Sequence, residues 1–151
     1  MAAVDRETIF AALFALVSPL TVYPWKSTPS RRLKLWGDVA LDQRPALFQF
    51  EGTEETYTWS NDVNPKRVLE ARLFFYTNCK DPTVQGATQM NQILTAIERA
   101  LLPTGKDLAG VGRQTLGGLV QHCRIEGKVF RDPGDLDGDG MARVPVFITV
   151  P

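Results

Sequence analysis

The chain has 151 residues, 44% of them hydrophobic and 23% charged, and its 17 basic and 17 acidic side chains cancel to a net charge of 0. That length and apolar content suit one core and a single domain, 1–151, and the balanced charge leaves no overall field to draw the protein onto nucleic acid or an anionic membrane. No apolar run reaches the ~18 residues that a spanning helix needs, Asp5 and Glu7 stand where a signal peptide would be basic, and Cys79 and Cys123 lack the close spacing of a metal or redox pair and read as small buried hydrophobes.

Ile9, Phe10, Leu13, Phe14, Leu16 and Val17 recur at helical spacing behind Asp5, which predicts an N-capped helix ending at Ser18 and Pro19. From Ser18 to Arg32, prolines 19, 24 and 29 stand among Ser and Thr with Tyr23 and Trp25 between them, the composition of an extended contact arm with aromatic anchors. Ala46 to Glu51 reads as a short strand with Phe48 and Phe50 on one side, and Glu51 to Asn64 as a polar, acidic connection across which a hairpin closes. Leu69, Ala71, Leu73 and Phe75 alternate with Val68, Glu70, Arg72, Phe74 and Tyr76, so Arg67 to Tyr76 is expected to be a strand with one wholly apolar face.

Asp81 and Pro82 then approach a helix whose stripe is Met90, Ile93, Leu94, Ile97 and Leu101; it stops before Pro103 and should cover the sheet. The glycine-rich stretch Leu102 to Gly118 is a long loop. Two strands follow, joined by a turn over Arg131 to Gly140. The first, 119–129, sets Cys123, Ile125 and Val129 opposite His122, Arg124, Glu126 and Lys128, and the second carries Val144, Val146, Ile148 and Val150 on one face. Pro145 cannot donate to a ladder, which places the last strand at an edge or a bulge, with that edge open to another subunit. Hairpins rather than repeated βαβ units predict an α+β fold, one mixed and mostly antiparallel sheet packed with two main helices.

Candidate chemistry is sparse. Asp135 to Gly140, DLDGDG, matches the start of an EF-hand calcium loop, but the twelfth position is Val146 and a strand pattern follows instead of a helix. Asp and Gly are also what a tight hairpin turn selects, and a turn is the preferred reading of Asp135 to Asp139. Gly110-Val111-Gly112 lacks the remainder of a dinucleotide fingerprint, and Gly105-Lys106 is followed by Asp107 rather than the Ser or Thr of a phosphate loop. The single histidine, His122, lies next to Cys123, and strand alternation turns the two to opposite faces, which separates the obvious base from the obvious nucleophile. Acidic residues such as Glu51, Glu54, Glu55 and Asp132 fall in turn-like segments that favour them for solubility. No catalytic, cofactor-binding or metal-ligating residue is expected. Basic residues cluster at Lys26, Arg31, Arg32 and Lys34, followed by Trp36; such a group can track a phosphate backbone, but a protein contact is the preferred reading.

Four segments carry a resemblance: RETIFAALFAL from Arg6, RRLKLWGDVALDQRPALFQF from Arg31, GRQTLGGLVQHCRIEG from Gly112, and VPVFITVP from Val144 to the end. Together and in this order, the chain resembles the small tail terminator proteins of long-tailed phages and prophages, also called tail completion or minor tail proteins. The resemblance implies a mixed sheet flanked by helices and a hexameric ring of identical copies seated on the last ring of the tail tube. It implies as partners the tube protein and the head-tail connector or adaptor protein, with DNA passing through the lumen unbound, no membrane and no cofactor. The protein would then reside in the virion at the head-proximal end of the tail, after synthesis in the host cytoplasm. Tyr23, Trp25, Arg31, Arg32, Trp36 and Pro145 are the residues expected at its interfaces. A head-closure, adaptor or tube component, or a small calcium-binding module, are the alternatives.

Overall fold

The computed structural model describes residues 5–20, 22–57, 66–81, 83, 85–136 and 138–150. Residues 1–4, 58–64 of the acidic connection, Pro82 and Asp137 lie outside them. Helix α1, Arg6–Val17, begins where expected: the Asp5 carboxylate accepts hydrogen bonds from the backbone N–H (3.0 Å) and hydroxyl (2.7 Å) of Thr8, the N-cap that relieves an unsatisfied helix end. Its inner face buries Ile9, Phe10, Leu13 and Val17. Helix α2, Gly86–Ala100, buries Met90, Ile93 and Ile97 on the stripe that the spacing foretold. It can start at residue 86 only with glycine there, since a Cβ would stand 2.3 Å from the Pro133 carbonyl and 2.8 Å from the Cys79 sulfur.

Both helices lie on one face of an antiparallel sheet. In chain order the long strands are β1, Ala46–Tyr57, and β2, Lys66–Asn78. Leu102 to Gly118 folds into a loop containing a minimal ladder of β3, Gly105–Lys106, with β4, Gly112–Arg113. Then come β5, His122–Ile125, β6, Phe130–Asp132, and β7, Asp139–Val150. The order across the sheet is β1-β2-β7-β5, with β6 also on the outer side of β7. Leu69, Ala71, Leu73 and Phe75 of β2 join Ala142, Val144, Val146, Ile148 and Val150 of β7 in the core beneath the helices. The fold is α+β, as the alternation implied. The strands are longer than their apolar runs suggest: β1 continues through Glu51–Tyr57 with every residue exposed, because pairing with β2, not burial, holds that half.

The expectation for Pro145 is overturned. β7 is central, paired with β2 along its whole length and with β5 and β6 on the other side. The reason lies in which way the proline points. The carbonyls of Pro145 and Thr149 accept from Glu126 and Gln121 on the β5 side, so odd-numbered residues of β7 turn their backbone groups toward β5 and β6, while even-numbered ones serve the β2 ladder. Beyond the bond from Glu126 to the Pro145 carbonyl the outer ladder is interrupted, because β5 ends at Ile125 and β6 begins at Phe130. The missing N–H faces the break and no ladder bond to β2 is lost.

The edges are not open runs. Outside β1, the segment before it bonds along 45–49: Lys26 and Ser30 donate to the carbonyls of Pro45 and Leu47, and Gln49 donates to Ser30. Further along, a bulge between Glu51 and Glu54 and three glutamates blunt the strand. Outside β5, the Cys123 N–H is taken by the Gln114 carbonyl at 2.8 Å. The buried Gln114 amide also spans the long loop, donating to the Leu102 carbonyl (2.9 Å) and accepting from the Leu116 N–H (3.2 Å).

Two proline substitutions separate this geometry from an edge strand. Pro145→Ala should cost no more than about 1 kcal/mol, through added freedom of the unfolded chain, whereas Val146→Pro should cost about 3 kcal/mol or more by removing a β2 ladder bond. Urea melts followed by circular dichroism measure both; equal costs would mean that β7 is not central.

Candidate assembly interface

The residues expected at interfaces do not form one patch. Tyr23 and Trp25 are half-buried against the main core. The Tyr23 hydroxyl donates to Gln92 of α2 (2.5 Å) and the Trp25 indole N–H to the Ser18 carbonyl (3.1 Å), so the proline-rich arm is anchored on its own helix layer. Arg31 sits at the start of α1, bonded to Glu7 and, at 2.5 Å, to Glu51; its guanidinium holds the Glu7 carboxyl below the usual range. Arg32 is exposed. Trp36 is 46% exposed on a segment that crosses the other side of the sheet, and Pro145 lies half-buried on that same side.

Arg44 clamps this second segment. Its buried guanidinium donates to the carbonyls of Val39 (2.9 Å) and Trp36 (2.5 Å), pairs with Asp139 at 3.0 Å, and stands 5.8 Å from the centre of the Tyr76 ring. The Tyr76 hydroxyl donates to the Lys34 carbonyl at 2.5 Å. Beneath them Val39, Ala46, Phe48 and Tyr76 form a small second core. Sequence reading passed over Arg44, which joins the nearby carbonyls of Trp36 and Val39 to Asp139 and Tyr76, distant in the chain.

Reactive groups stay apart. Cys123 is fully buried, and burial pushes its thiol up to about 12. His122 faces away, its Nδ1 accepting the Gln114 N–H at 3.1 Å, and burial, then Arg113 and Arg124, hold its pKa below the ordinary value. Cys79 is packed against the carbonyls of Pro133 and Gly134. In the aspartate-rich turn, Gly134 and Gly138 adopt positive φ and Gly138 donates to the Gly134 carbonyl (2.8 Å), which is turn geometry; Asp139 is engaged by Arg44. Among the described residues no three His, Cys, Asp or Glu side chains gather as a metal site.

What remains is uncovered apolar surface. The segment held by Arg44 covers only one end of the sheet's second face. Beyond it, Phe50, 38% exposed, meets Phe74 edge-on at 6.4 Å, and the strand pairing sets Arg72, Pro145, Phe147 and Arg143 on the same face. α1 offers the other surface: residues 9–17 are all apolar, so its solvent side, Ala11, Phe14 and Ala15, is apolar as well. A helix hydrophobic on every side is normally a buried helix. Neither surface was read from the sequence, although the unbroken run IFAALFALV was the available signal.

No protein-family model matches the chain, and no curated protein matches it. Among solved structures the fold is similar to a chain from the virion of a native gene transfer agent particle, with a TM-score of 0.53 at 12% identity, covering 93% of this chain and 92% of that one. At that identity the likeness is one of fold, and it runs from end to end.

Because Trp25 packs on its own domain, Trp25→Ala should lower stability by about 2 kcal/mol, less than the ~3–5 kcal/mol of a fully buried aromatic. Trp25→Phe, which keeps most of the packing but loses the bond to Ser18, should cost about 1 kcal/mol. Thermal melts of the two variants check the order; no change in either would mean that the arm is not anchored by this residue.

Proposed function

We propose that this chain is a structural protein of a virion, whose copies form a ring, hexameric as in the family it resembles, that terminates the tail tube and presents the surface on which the head and its connector dock. The observation that carries the reading is the end-to-end likeness of fold to a virion component. The terminator role is supported by the order of the four sequence segments that resemble tail terminator proteins. In this reading the domain builds and does not catalyse, consistent with a histidine and a cysteine turned to opposite sides of β5 and a thiol too deeply buried to ionise near neutral pH. Its partners are further copies of itself, the tube protein and the connector or adaptor protein.

A ring of identical copies needs two different surfaces per copy, one complementary to the other, since head-to-tail contacts that close generate cyclic symmetry. A lumen lined by a chain with no net charge would let DNA pass without gripping it. The protein would sit at the head-proximal end of the tail.

Purified protein mixed with tail tube subunits, viewed by negative-stain electron microscopy, tests the reading. Six-fold rings and tubes of capped length are expected. Tubes that grow to the same lengths with and without the protein would overturn the terminator role, and incorporation all along the tube would make the chain a tube component instead.

A further inference from the structure

Gln114 is the point at which the long loop is fastened to the sheet. It is 3% exposed, and its backbone and side chain are both engaged. Its carbonyl accepts from the Cys123 N–H at 2.8 Å. Its side-chain amide donates to the Leu102 carbonyl and accepts from the Leu116 N–H. Its own N–H donates to His122 Nδ1 at 3.1 Å. The first three bonds join groups that do not titrate, whereas the last ends on the single histidine of the chain. A backbone N–H can only donate, so the nitrogen that faces it carries a lone pair, and the ring is neutral with its proton on Nε2.

We propose that His122 is a pH-sensitive latch, which while neutral holds the loop 102–118 against the outer edge of β5 and on protonation releases it. A proton on Nδ1 sets two donors against each other and leaves the buried Gln114 N–H without an acceptor, which only local opening toward water relieves. The surrounding charges act in the same direction. Arg113 of β4 and Arg124 of β5 disfavour the imidazolium, against a smaller opposing pull from Glu126. Arg113 is paired with Asp107 at 2.9 Å and Arg124 with Glu126 at 3.0 Å. The Val111 N–H, then Arg113, hold the Asp107 carboxyl below the usual range, so that pair stays charged in mild acid. On β7 the residue opposite His122 is Thr149, which does not titrate. Burial, then the two arginines, hold His122 below its ordinary value of 6.5, so the fastened loop binds the proton less readily than the open one. The latch is therefore complete above about pH 6.5 and weakens as pH falls through that value toward the depressed one. Opening takes Leu116 out of the main core and bares the edge of β5 that Gln114 blocks, a strand edge able to pair with another chain.

Hydrogen exchange of the full chain, followed by mass spectrometry at about pH 8 and about pH 5.5 and corrected for the intrinsic pH dependence of exchange, tests the latch. Protection of the amides over 112–123 should fall roughly tenfold at the lower pH, while that of the β2 and β7 ladder stays unchanged. His122→Gln, whose side-chain oxygen can accept the same N–H at either pH, should keep the parent's high-pH protection at both. His122→Ala should show the lowered protection at both. Because the chain has one histidine, its imidazole C–H resonances in proton NMR are unambiguous, and they should titrate below 6.5. Equal protection of the parent at the two pH values would overturn the latch, as would an equal acid loss in His122→Gln or a histidine that titrates at 6.5 or above.

Discussion

The pairing of β2 with β7 is the interaction on which the remainder of the fold depends. Every residue from Arg67 to Asn78 faces one from Val150 to Asp139 without a break in register. This ladder joins segments some 70 residues apart, whose closure costs entropy that only a long, well-buried pairing recovers. It sets the alternation of both strands at once: one face collects Leu69, Ala71, Leu73, Val144, Val146 and Ile148, all 1% exposed or less, and the helices pack there. The other strands are additions to this pair, β1 outside β2, and β5 with β6 outside β7.

The same ladder fixes what the second face must be. Once the odd residues of β2 and the even residues of β7 point to the helices, Arg72, Phe74, Arg143, Pro145 and Phe147 have nowhere else to go. Arg44, Tyr76 and the segment around Val39 cover one end of that face. The rest stays uncovered, as does the outer stripe of α1. A two-layer domain built this way leaves contiguous apolar surface of the kind that marks interaction sites, and our proposal that the protein assembles with its own kind draws on that surplus.

Much of this was legible from residue order. The helices were marked by spacing, by Asp5 as a cap and by the proline stops. β2 was marked by strict alternation, and the outer antiparallel pairings by hairpin-like connections, but the long-range ladder of β2 with β7 carried no such mark. What was not legible depends on partners far away in sequence. Pro145 looked like an edge residue because a proline announces a missing N–H but not the direction in which it is missing; the break between β5 and β6 decides that. Glu51–Tyr57 looked like a loop because exposed strand residues carry no hydrophobic period. Trp25 and Tyr23 looked free because a proline-rich segment gives no sign of whether it packs inward. Arg44 carried no local signal at all. The uncovered faces are a property of the assembled sheet, and only the uninterrupted apolar run of α1 hinted at them.

The central claim is that the chain is a building part that associates with copies of itself. Sedimentation velocity of the unmodified protein over a wide range of concentration tests it directly. The expected result is a monomer at high dilution giving way to one larger species of fixed size, as a closing ring requires. A monomer at every concentration would contradict the account, and a continuous series of ever larger species would contradict closure.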